Sequence, residues 1–249
     1  MDPPLARGTE HLYDRVLPLG ESSFSSRLQA VEERIRSAAE RSGRKRADIT
    51  LVAVTKKFSA QTIREAYAAG LRHFGENYVQ EFAQKHSELK DLADAKFHLI
   101  GHLQSNKARV ATELFDVVQT ADSAKIVSRL DALVAEAGRR MDVLIEMKLS
   151  GEESKTGVSV EELAELAAAG KACRHIRVSG LMTMPPWSEN PEDSRPFFRK
   201  LAELARQHEF PQLSMGMSND FEAAIEEGAT IIRVGTALFG PRPKPAMTE

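Results

Sequence analysis

The chain has 249 residues, 42% of them hydrophobic, and a formal net charge of −2. This length suits one large domain, and the apolar content is enough for a full core. The near-neutral charge gives no reason to expect nucleic acid or an acidic membrane as a partner. The single cysteine, Cys173, excludes an internal disulfide and favours a reducing, cytoplasmic setting.

No stretch of the sequence has the roughly 20 apolar residues that a membrane-spanning helix needs. Residues 1–22 contain acidic residues and prolines but no apolar segment, so we interpret them as an N-terminal tail and not as a secretory signal. We expect one barrel domain over residues 23–242 and a C-terminal tail over residues 243–249.

Apolar periodicity, glycines and capping residues predict an alternation of helices and strands. After a first helix, Phe24–Arg41, the predicted strands are Ile49–Thr55, His73–Phe74, Lys96–His102, Phe115–Thr120, Asp142–Met147, Ile176–Met182, Gln212–Ser214 and Thr230–Thr236. The predicted helices between them are Ala60–Ala69, one capped by Asn77 and running to about Leu92, a short one opened by Gln104–Lys107, one from Asp122 or Ser123 through Ala137, Val160–Ala169, Glu192–His208 and Phe221–Glu227.

Strict alternation implies an α/β fold with a parallel sheet and right-handed crossovers, and eight such units close most naturally into a (β/α)8 TIM-type barrel. Phe24–Arg41 is then an extra N-terminal helix, which we expect where an eighth helix would stand. The competing fold is an open doubly wound sheet. That fold needs a glycine-rich turn after its first strand, and residues 56–59 contain no glycine.

The first predicted strand ends in two lysines, at the end of a parallel strand where α/β proteins bind their ligands. Such a lysine is either a surface cation or an amine directed into a site. Strand alternation places Lys56 and Lys57 on opposite faces. Periodicity does not choose between them, because both faces of this strand are apolar.

The loops after the last two strands have the features of a phosphate site, which barrels commonly form there. Ser218 and Asn219 stand at a helix N-terminus, where a hydroxyl and free backbone N–H groups meet the positive end of the helix dipole. Gly235 lets the backbone approach a ligand closely, and Thr236 offers an N–H and a hydroxyl. Either motif alone is more often a helix cap or a turn, but together they favour phosphate.

A strand-end lysine and a phosphate site together predict pyridoxal 5'-phosphate (PLP), whose aldehyde forms a Schiff base with a neutral amine. Burial at the barrel mouth would lower the pKa of such a lysine toward that neutral state. Arg233 is a candidate partner for the pyridine nitrogen, to which it can donate a hydrogen bond but not readily a proton. A cofactor held in this way is a poor electron sink.

Several long motifs together resemble the pyridoxal phosphate homeostasis protein family, also called the proline synthetase co-transcribed type. The motifs are Ala53–Lys56, Phe74–Glu81, His98–Lys107, Ser179–Met182, Met217–Asp220 and Arg233–Gly240. The resemblance covers residues 25–242 and implies a single-domain barrel similar to the N-terminal domain of alanine racemase. The site residues that it implies are Lys56 as the Schiff-base lysine, Ser218, Gly235 and Thr236 at the phosphate, Arg233 at the pyridine nitrogen, and Asn77 and Met182 near the cofactor.

The resemblance further implies a protein that binds PLP and buffers or delivers it, with effects on amino-acid and keto-acid balance and without established catalytic turnover. We expect a monomer that needs no metal, with transient contact with PLP-dependent apoenzymes left open. The alternative is a racemase of the alanine racemase type, which needs an acid/base group on each face of its substrate. Its second group is a tyrosine, and Tyr78 alone of the tyrosines here stands near a strand end. A sugar-phosphate aldolase would need a carboxylate near the lysine, and none can be placed there.

Two positions depart from the family pattern. His102 stands where the family often has proline, and Phe58 stands where it often has a second lysine. A secondary cofactor site that uses a lysine at position 58 would therefore be absent. We expect His102 to make a local hydrogen bond, and we expect His73 and His98, inside predicted strands, to be hydrogen-bonded in the core or at an interface.

Overall fold

The structure is a computed structural model that describes residues 23–150 and 156–241. Eight parallel strands pair in sequence order and close into a barrel, which confirms the predicted fold. The strands are β1 (Thr50–Val54), β2 (His73–Glu76), β3 (Lys96–Leu99), β4 (Val117–Ala121), β5 (Met141–Glu146), β6 (Ile176–Met182), β7 (Gln212–Ser214) and β8 (Ile231–Val234). The predicted tails, residues 1–22 and 243–249, lie outside the described residues.

Helices surround the barrel. They are α1 (Phe24–Arg41), α2 (Ala60–Ala68), α3 (Val79–His86), α4 (Ala108–Leu114), α5 (Ala124–Glu136), α6 (Leu163–Ala172), α7 (Arg195–Gln207), α8 (Phe221–Glu226) and α9 (Thr236–Phe239). Among the described residues, no helix combines the length and the apolar content that a bilayer crossing requires.

Three details of the helices differ from the sequence prediction. Tyr78, and not Asn77, is the N-cap of α3. The helix α6 begins three residues later than predicted and runs through Gly170, because this glycine packs against β6. A Cβ atom at Gly170 would lie 2.5 Å from the side chain of Val178, so the glycine permits close packing instead of ending the helix. The single turn of α9 had no periodic signal to predict it.

Helix α1 is the expected extra helix, and it packs against α8 and α9. Its N-cap, Ser23, accepts a hydrogen bond from the N–H of Ser26. The ring of Phe24 stacks on that of Phe239 in α9, with 5.4 Å between ring centroids. Arg34 forms an ion pair of 2.7 Å with Glu222 in α8. These contacts attach α1 to both short helices that follow β7 and β8.

The barrel interior is partly apolar and partly polar. Val52, Leu144, Met182 and Ile231 form a buried apolar cluster inside it. Beside this cluster lies His98, which is only 3% exposed. Its two ring nitrogens lie 2.9 Å from Gln119 Nε2 and 2.9 Å from His73 Nδ1. Both predicted core histidines are therefore hydrogen-bonded, and burial lowers the pKa of His98 to about 3, with smaller contributions from His73 and Lys96.

This buried histidine makes stability depend on pH. The pKa of His98 is far below the 6.5 of an ordinary histidine, so between pH 6.5 and 3 the unfolded chain binds a proton that the folded chain does not. Stability is therefore lost as the pH falls below 6.5, by about 2 kcal/mol at pH 5. In His98→Gln, which keeps a donor and an acceptor but does not titrate, we expect the loss between pH 7 and 5 to be smaller by this amount.

Urea denaturation at both pH values measures this effect, and His102→Gln serves as the control because His102 is an exposed histidine. An unchanged loss of stability in His98→Gln would contradict the prediction.

Candidate functional site

A cavity of about 310 Å³ opens at the C-terminal ends of the strands. Its volume lies at the lower end of the range for small-molecule sites. All the cofactor-binding residues predicted from the sequence line this cavity except Met182: they are Lys56, Asn77, Ser218, Arg233, Gly235 and Thr236. The closed barrel therefore brings together residues that lie up to 180 positions apart in the chain.

Lys56, and not Lys57, faces the cavity. The interior residues of β1 follow strand alternation, with Val52 in the apolar cluster and Val54 in the cavity wall, and Lys56 continues the same series. Lys57 is exposed and has a positive φ of 66°. Such a backbone conformation is costly for a lysine and persists only where neighbouring groups hold it. One such group is Glu81, whose Oε1 accepts a hydrogen bond of 2.6 Å from the N–H of Lys57.

A buried lysine, Lys85, holds the turn that carries Lys56. Its Nζ donates hydrogen bonds to the carbonyl oxygens of Thr55, at 3.2 Å, and Phe58, at 3.0 Å. The same ammonium forms ion pairs of 2.9 Å with Glu76 and 3.2 Å with Glu81. The ammonium group of Lys85 therefore holds the backbone on both sides of Lys56.

The carboxylate of Glu76 completes this network. Its side chain is fully buried, and its Oε1 also accepts a hydrogen bond of 2.7 Å from Thr55 Oγ1. Burial raises the pKa of Glu76, and the charge of Lys85 opposes that rise. Glu76 and Lys85 were missed from the sequence. The sequence signal for Lys85 was its spacing from Glu81, because opposite charges four positions apart on a predicted helix can form an ion pair.

The phosphate end of the cavity lies between the loops after β7 and β8. Ser218 Oγ accepts hydrogen bonds from the N–H groups of Gly235, at 3.3 Å, and Ala237, at 3.2 Å. Asp220, and not Ser218, is the N-cap residue of α8. Ser218 is therefore not needed as a cap. Its hydroxyl and the neighbouring backbone N–H groups form a cluster of donors suited to an anion.

Arg233 lies on the floor of the cavity and is only 3% exposed. Its guanidinium donates to Ser214 Oγ at 2.6 Å and to the carbonyl oxygen of Thr183 at 3.0 Å. Burial lowers the pKa of Arg233 to about 10, while the charges of Asp220 and Glu146 act in the opposite direction. The side chain is therefore a cation at neutral pH.

Met182 does not line the cavity. Its side chain is fully buried in the apolar cluster beneath it. Met184, two positions further along the chain, lines the cavity instead, together with Trp187, which is 76% exposed. Sequence reasoning missed both of these residues. The signal for Met184 was strand parity, because it continues the interior series of Met182 one step nearer the mouth. Trp187 follows two prolines in the loop after β6, where strand parity does not apply.

Phe58 has a structural role at the position where the family often has lysine. Its ring lies 5.1 Å from that of Phe239, between centroids, and Phe239 also stacks on Phe24. Three aromatic rings therefore connect the turn after β1 to α9 and α1. No second lysine is available at position 58 to hold a cofactor.

His102 and two acidic residues of β5 make local contacts. His102 Nδ1 lies 3.2 Å from Asp122 Oδ2, as expected for a loop histidine. Asp142 pairs with Arg177 at 2.7 Å. Glu146 is buried at the end of β5, where its Oε2 accepts a hydrogen bond of 3.4 Å from Thr156, and burial raises the pKa of its carboxyl group.

A barrel with a mouth-facing lysine and paired donor loops defines the alanine racemase N-terminal domain class, and residues 26–243 match the family of that description. Curated relatives carry the name pyridoxal phosphate homeostasis protein. The relative from Aquifex aeolicus is 46% identical and the alignment covers 87% of this chain and 97% of the relative. The relative from Escherichia coli K12 is 42% identical, and the alignment covers 89% of this chain and 97% of the relative. The chain belongs to the pyridoxal phosphate homeostasis protein family.

Solved structures agree with this assignment. PipY from Synechococcus elongatus PCC7942, solved with PLP bound, superposes with a TM-score of 0.75 at 38% identity, over 88% of this chain and all of PipY. Alanine racemase from Corynebacterium glutamicum superposes with a TM-score of 0.60 at 21% identity, over 89% of this chain and 63% of the racemase. The second likeness shows a shared fold.

The Lys85 network should be essential to stability. Lys85→Met leaves the carboxylate of Glu76 buried without its cation, so we expect the free energy of unfolding to fall by about 3 kcal/mol. Lys90→Met, at an exposed position nearby, should change it by less than about 0.5 kcal/mol. Adding Glu76→Gln to Lys85→Met should recover part of the loss, because the buried charge is then gone. Urea denaturation measures these variants and Glu76→Gln alone, and strictly additive losses in the double variant would argue against the coupling.

Proposed function

We propose that this protein binds PLP at the mouth of the barrel, holds it on Lys56 as a Schiff base, and takes part in its intracellular homeostasis by buffering or delivery. One observation carries the proposal: a single cavity is lined by an amine, Lys56, a buried cation, Arg233, and the donor cluster around Ser218. The names of the curated relatives and the PLP-bound PipY structure support it.

The residues of the cavity fit the chemical groups of the cofactor. Ser218, Gly235 and Thr236 have hydroxyl and backbone N–H groups suited to a phosphate, and in this structure the N–H of Gly235 donates to Ser218 Oγ. The carboxylate of Asp220, which also lines the cavity, accepts a hydrogen bond from the N–H of Met217. Lys56 enters from β1 on the side of the cavity next to β8. Lys56 would hold PLP through its amine, because the aldehyde of the cofactor would supply a carbonyl that condenses with an amine with loss of one water molecule.

Arg233 suits the ring nitrogen of the cofactor. Its pKa of about 10 keeps it protonated at neutral pH, so it donates a hydrogen bond and retains its proton. A ring nitrogen paired in this way is not protonated, and the ring withdraws electrons weakly. The geometry therefore favours storage of the cofactor over demanding carbanion chemistry.

A carrier role fits the cavity better than racemisation. Among the described residues, those that line the cavity include Lys56 but no tyrosine. Tyr78 is 54% exposed beyond the end of β2, and Tyr67 is hydrogen-bonded to Asp94 on the outside of the barrel. We propose that the mouth, where Trp187 is exposed, is also where apoenzymes make transient contact. Interconversion of L- and D-amino acids at ordinary enzyme rates would contradict the carrier role.

The lysine assignment predicts a specific loss. Protein incubated with PLP should show a visible chromophore, which Lys56→Ala removes and the matched variant Lys57→Ala retains, because Lys56 lines the cavity and Lys57 does not. Mass spectrometry after borohydride reduction should place the added mass on Lys56. Modification of any other lysine in the wild-type protein would refute the assignment.

The phosphate assignment predicts a difference between two ligands. Ser218→Ala removes a hydroxyl that faces a dianion, so the affinity for PLP should fall about tenfold. Pyridoxal, which lacks the phosphate, should bind both proteins equally well. Spectroscopic titration with each ligand tests this, and an equal loss for both ligands would place the phosphate elsewhere.

A further inference from the structure

A continuous chain of side-chain hydrogen bonds crosses the barrel interior from the cavity to its base. Arg233 donates to Ser214 Oγ at 2.6 Å, and Ser214 Oγ lies 2.6 Å from Gln119 Oε1. Gln119 Nε2 lies 2.9 Å from His98 Nδ1, and His98 Nε2 lies 2.9 Å from His73 Nδ1. The chain thus connects strands β8, β7, β4, β3 and β2.

The middle of this chain is isolated from solvent. Ser214 and Gln119 are fully buried and His98 is 3% exposed, whereas His73 is partly exposed. His73 lines a cavity of about 190 Å³ at the base of the barrel, together with Thr50 and Asp142. Hydrogen bonds in so dry an environment are strong, and an unpaired member would be costly.

The direction of every bond follows from Arg233. A guanidinium only donates, so Ser214 accepts from it. The amide of Gln119 turns its oxygen toward Ser214, so the serine directs its own hydrogen to Gln119 Oε1. The amide nitrogen of Gln119 then faces His98 Nδ1, which must be the unprotonated nitrogen of that ring.

The same reasoning reaches the base of the barrel. The proton of His98 is on Nε2, and it is donated to Nδ1 of His73. All donors point from the cofactor cavity toward the base, and each acceptor in the chain is used once. The side-chain contacts of Arg233 thereby fix the tautomers of two histidines at the opposite end of the barrel.

We infer that Ser214 and Gln119, supported by His98, are positioning residues that hold Arg233 against the ring nitrogen of the bound cofactor. This inference rests on the proposed function. Among the described residues, Ser214 is the only side chain that accepts a hydrogen bond from Arg233, and Gln119 fixes the orientation of that serine. Barrel interiors are usually filled by branched apolar side chains. A chain of hydrogen-bonded polar side chains that ends on Arg233 therefore indicates a functional role.

A matched pair of serine variants tests the role of Ser214. In Ser214→Ala, the guanidinium loses an acceptor and its orientation, so PLP should bind about tenfold more weakly. The control is Ser179→Ala on β6. This substitution removes a buried hydroxyl that donates a hydrogen bond to Gln212 and is not part of the hydrogen-bond chain from Arg233 to His73. This control should change PLP affinity less than about twofold. Ser214→Thr, which keeps the hydroxyl, should recover most of the affinity.

A spectroscopic measurement separates positioning from a general loss of stability. Hydrogen bonding at the ring nitrogen tunes the electronic properties of PLP. The absorption maximum of the bound chromophore, or the midpoint of its pH titration, should therefore shift in Ser214→Ala and Gln119→Leu but not in Ser179→Ala. If Ser214→Ala and Gln119→Leu both keep wild-type affinity for PLP and an unshifted spectrum, the inference is overturned and the proposed function stays intact. A wild-type protein without a chromophore would instead overturn the proposed function.

The chain can also be tested without cofactor. Nitrogen-15 NMR of the ligand-free protein should show His98 protonated on Nε2 and bare on Nδ1. Gln119→Glu replaces the amide donor by an acceptor, so the proton of His98 should move to Nδ1. Wild-type His98 protonated on Nδ1 would overturn the assigned direction of the chain and with it the inference.

Discussion

Closure of the barrel is the constraint on which the candidate site depends. The first and last strands pair with each other, and Val52 of β1 stands opposite Arg233 of β8. Lys56 continues the interior series of Val52 toward the mouth, so the amine and the guanidinium come from adjacent strands. In an open sheet of the same strand order, β1 and β8 would lie at opposite edges. The same residues would then form no site.

Closure also explains how the interior can contain so many polar groups. A buried cation such as Arg233 loses the solvation of water, and this loss must be offset by hydrogen bonds. Ser214 and the carbonyl group of Thr183 supply them from β7 and from the end of β6. The barrel interior is therefore divided into an apolar cluster around Met182 and a chain of hydrogen-bonded polar side chains around His98. Arg233 ends this hydrogen-bond chain and lines the cavity.

The sequence was informative where a pattern had one physical meaning. Alternation of strands and helices predicted the barrel, and Ser218 with Gly235 predicted the donor cluster from its place after the last two strands. It was not informative where two structures fit one pattern. Both faces of β1 are apolar, so periodicity could not distinguish Lys56 from Lys57. The resemblance implied Lys56, and the closed barrel places Lys56 at the cavity. Gly170 resembled a helix stop, but its role is set by Val178, which lies on the following strand.

Met182 shows the limit of strand parity. Alternation correctly places it on the interior side, but its depth in the barrel depends on how far β6 extends relative to its neighbours. That stagger arises from pairing with β5 and β7, including the register shift after Val143. A motif match carries no information on depth, and the residue that reaches the cavity is Met184.

Side-chain contacts join the two ends of the cavity. PLP carries its aldehyde on the ring and its phosphate on a short ester arm, so a site for both must keep its lysine and its donor loops within a limited separation. Phe58, two positions after Lys56, packs against Phe239, three positions after Thr236. Lys85 holds the backbone on the other side of the same turn. These contacts attach the turn of Lys56 to the helix that follows Gly235, and the aromatic ring at position 58 contributes to this packing instead of supplying a second amine.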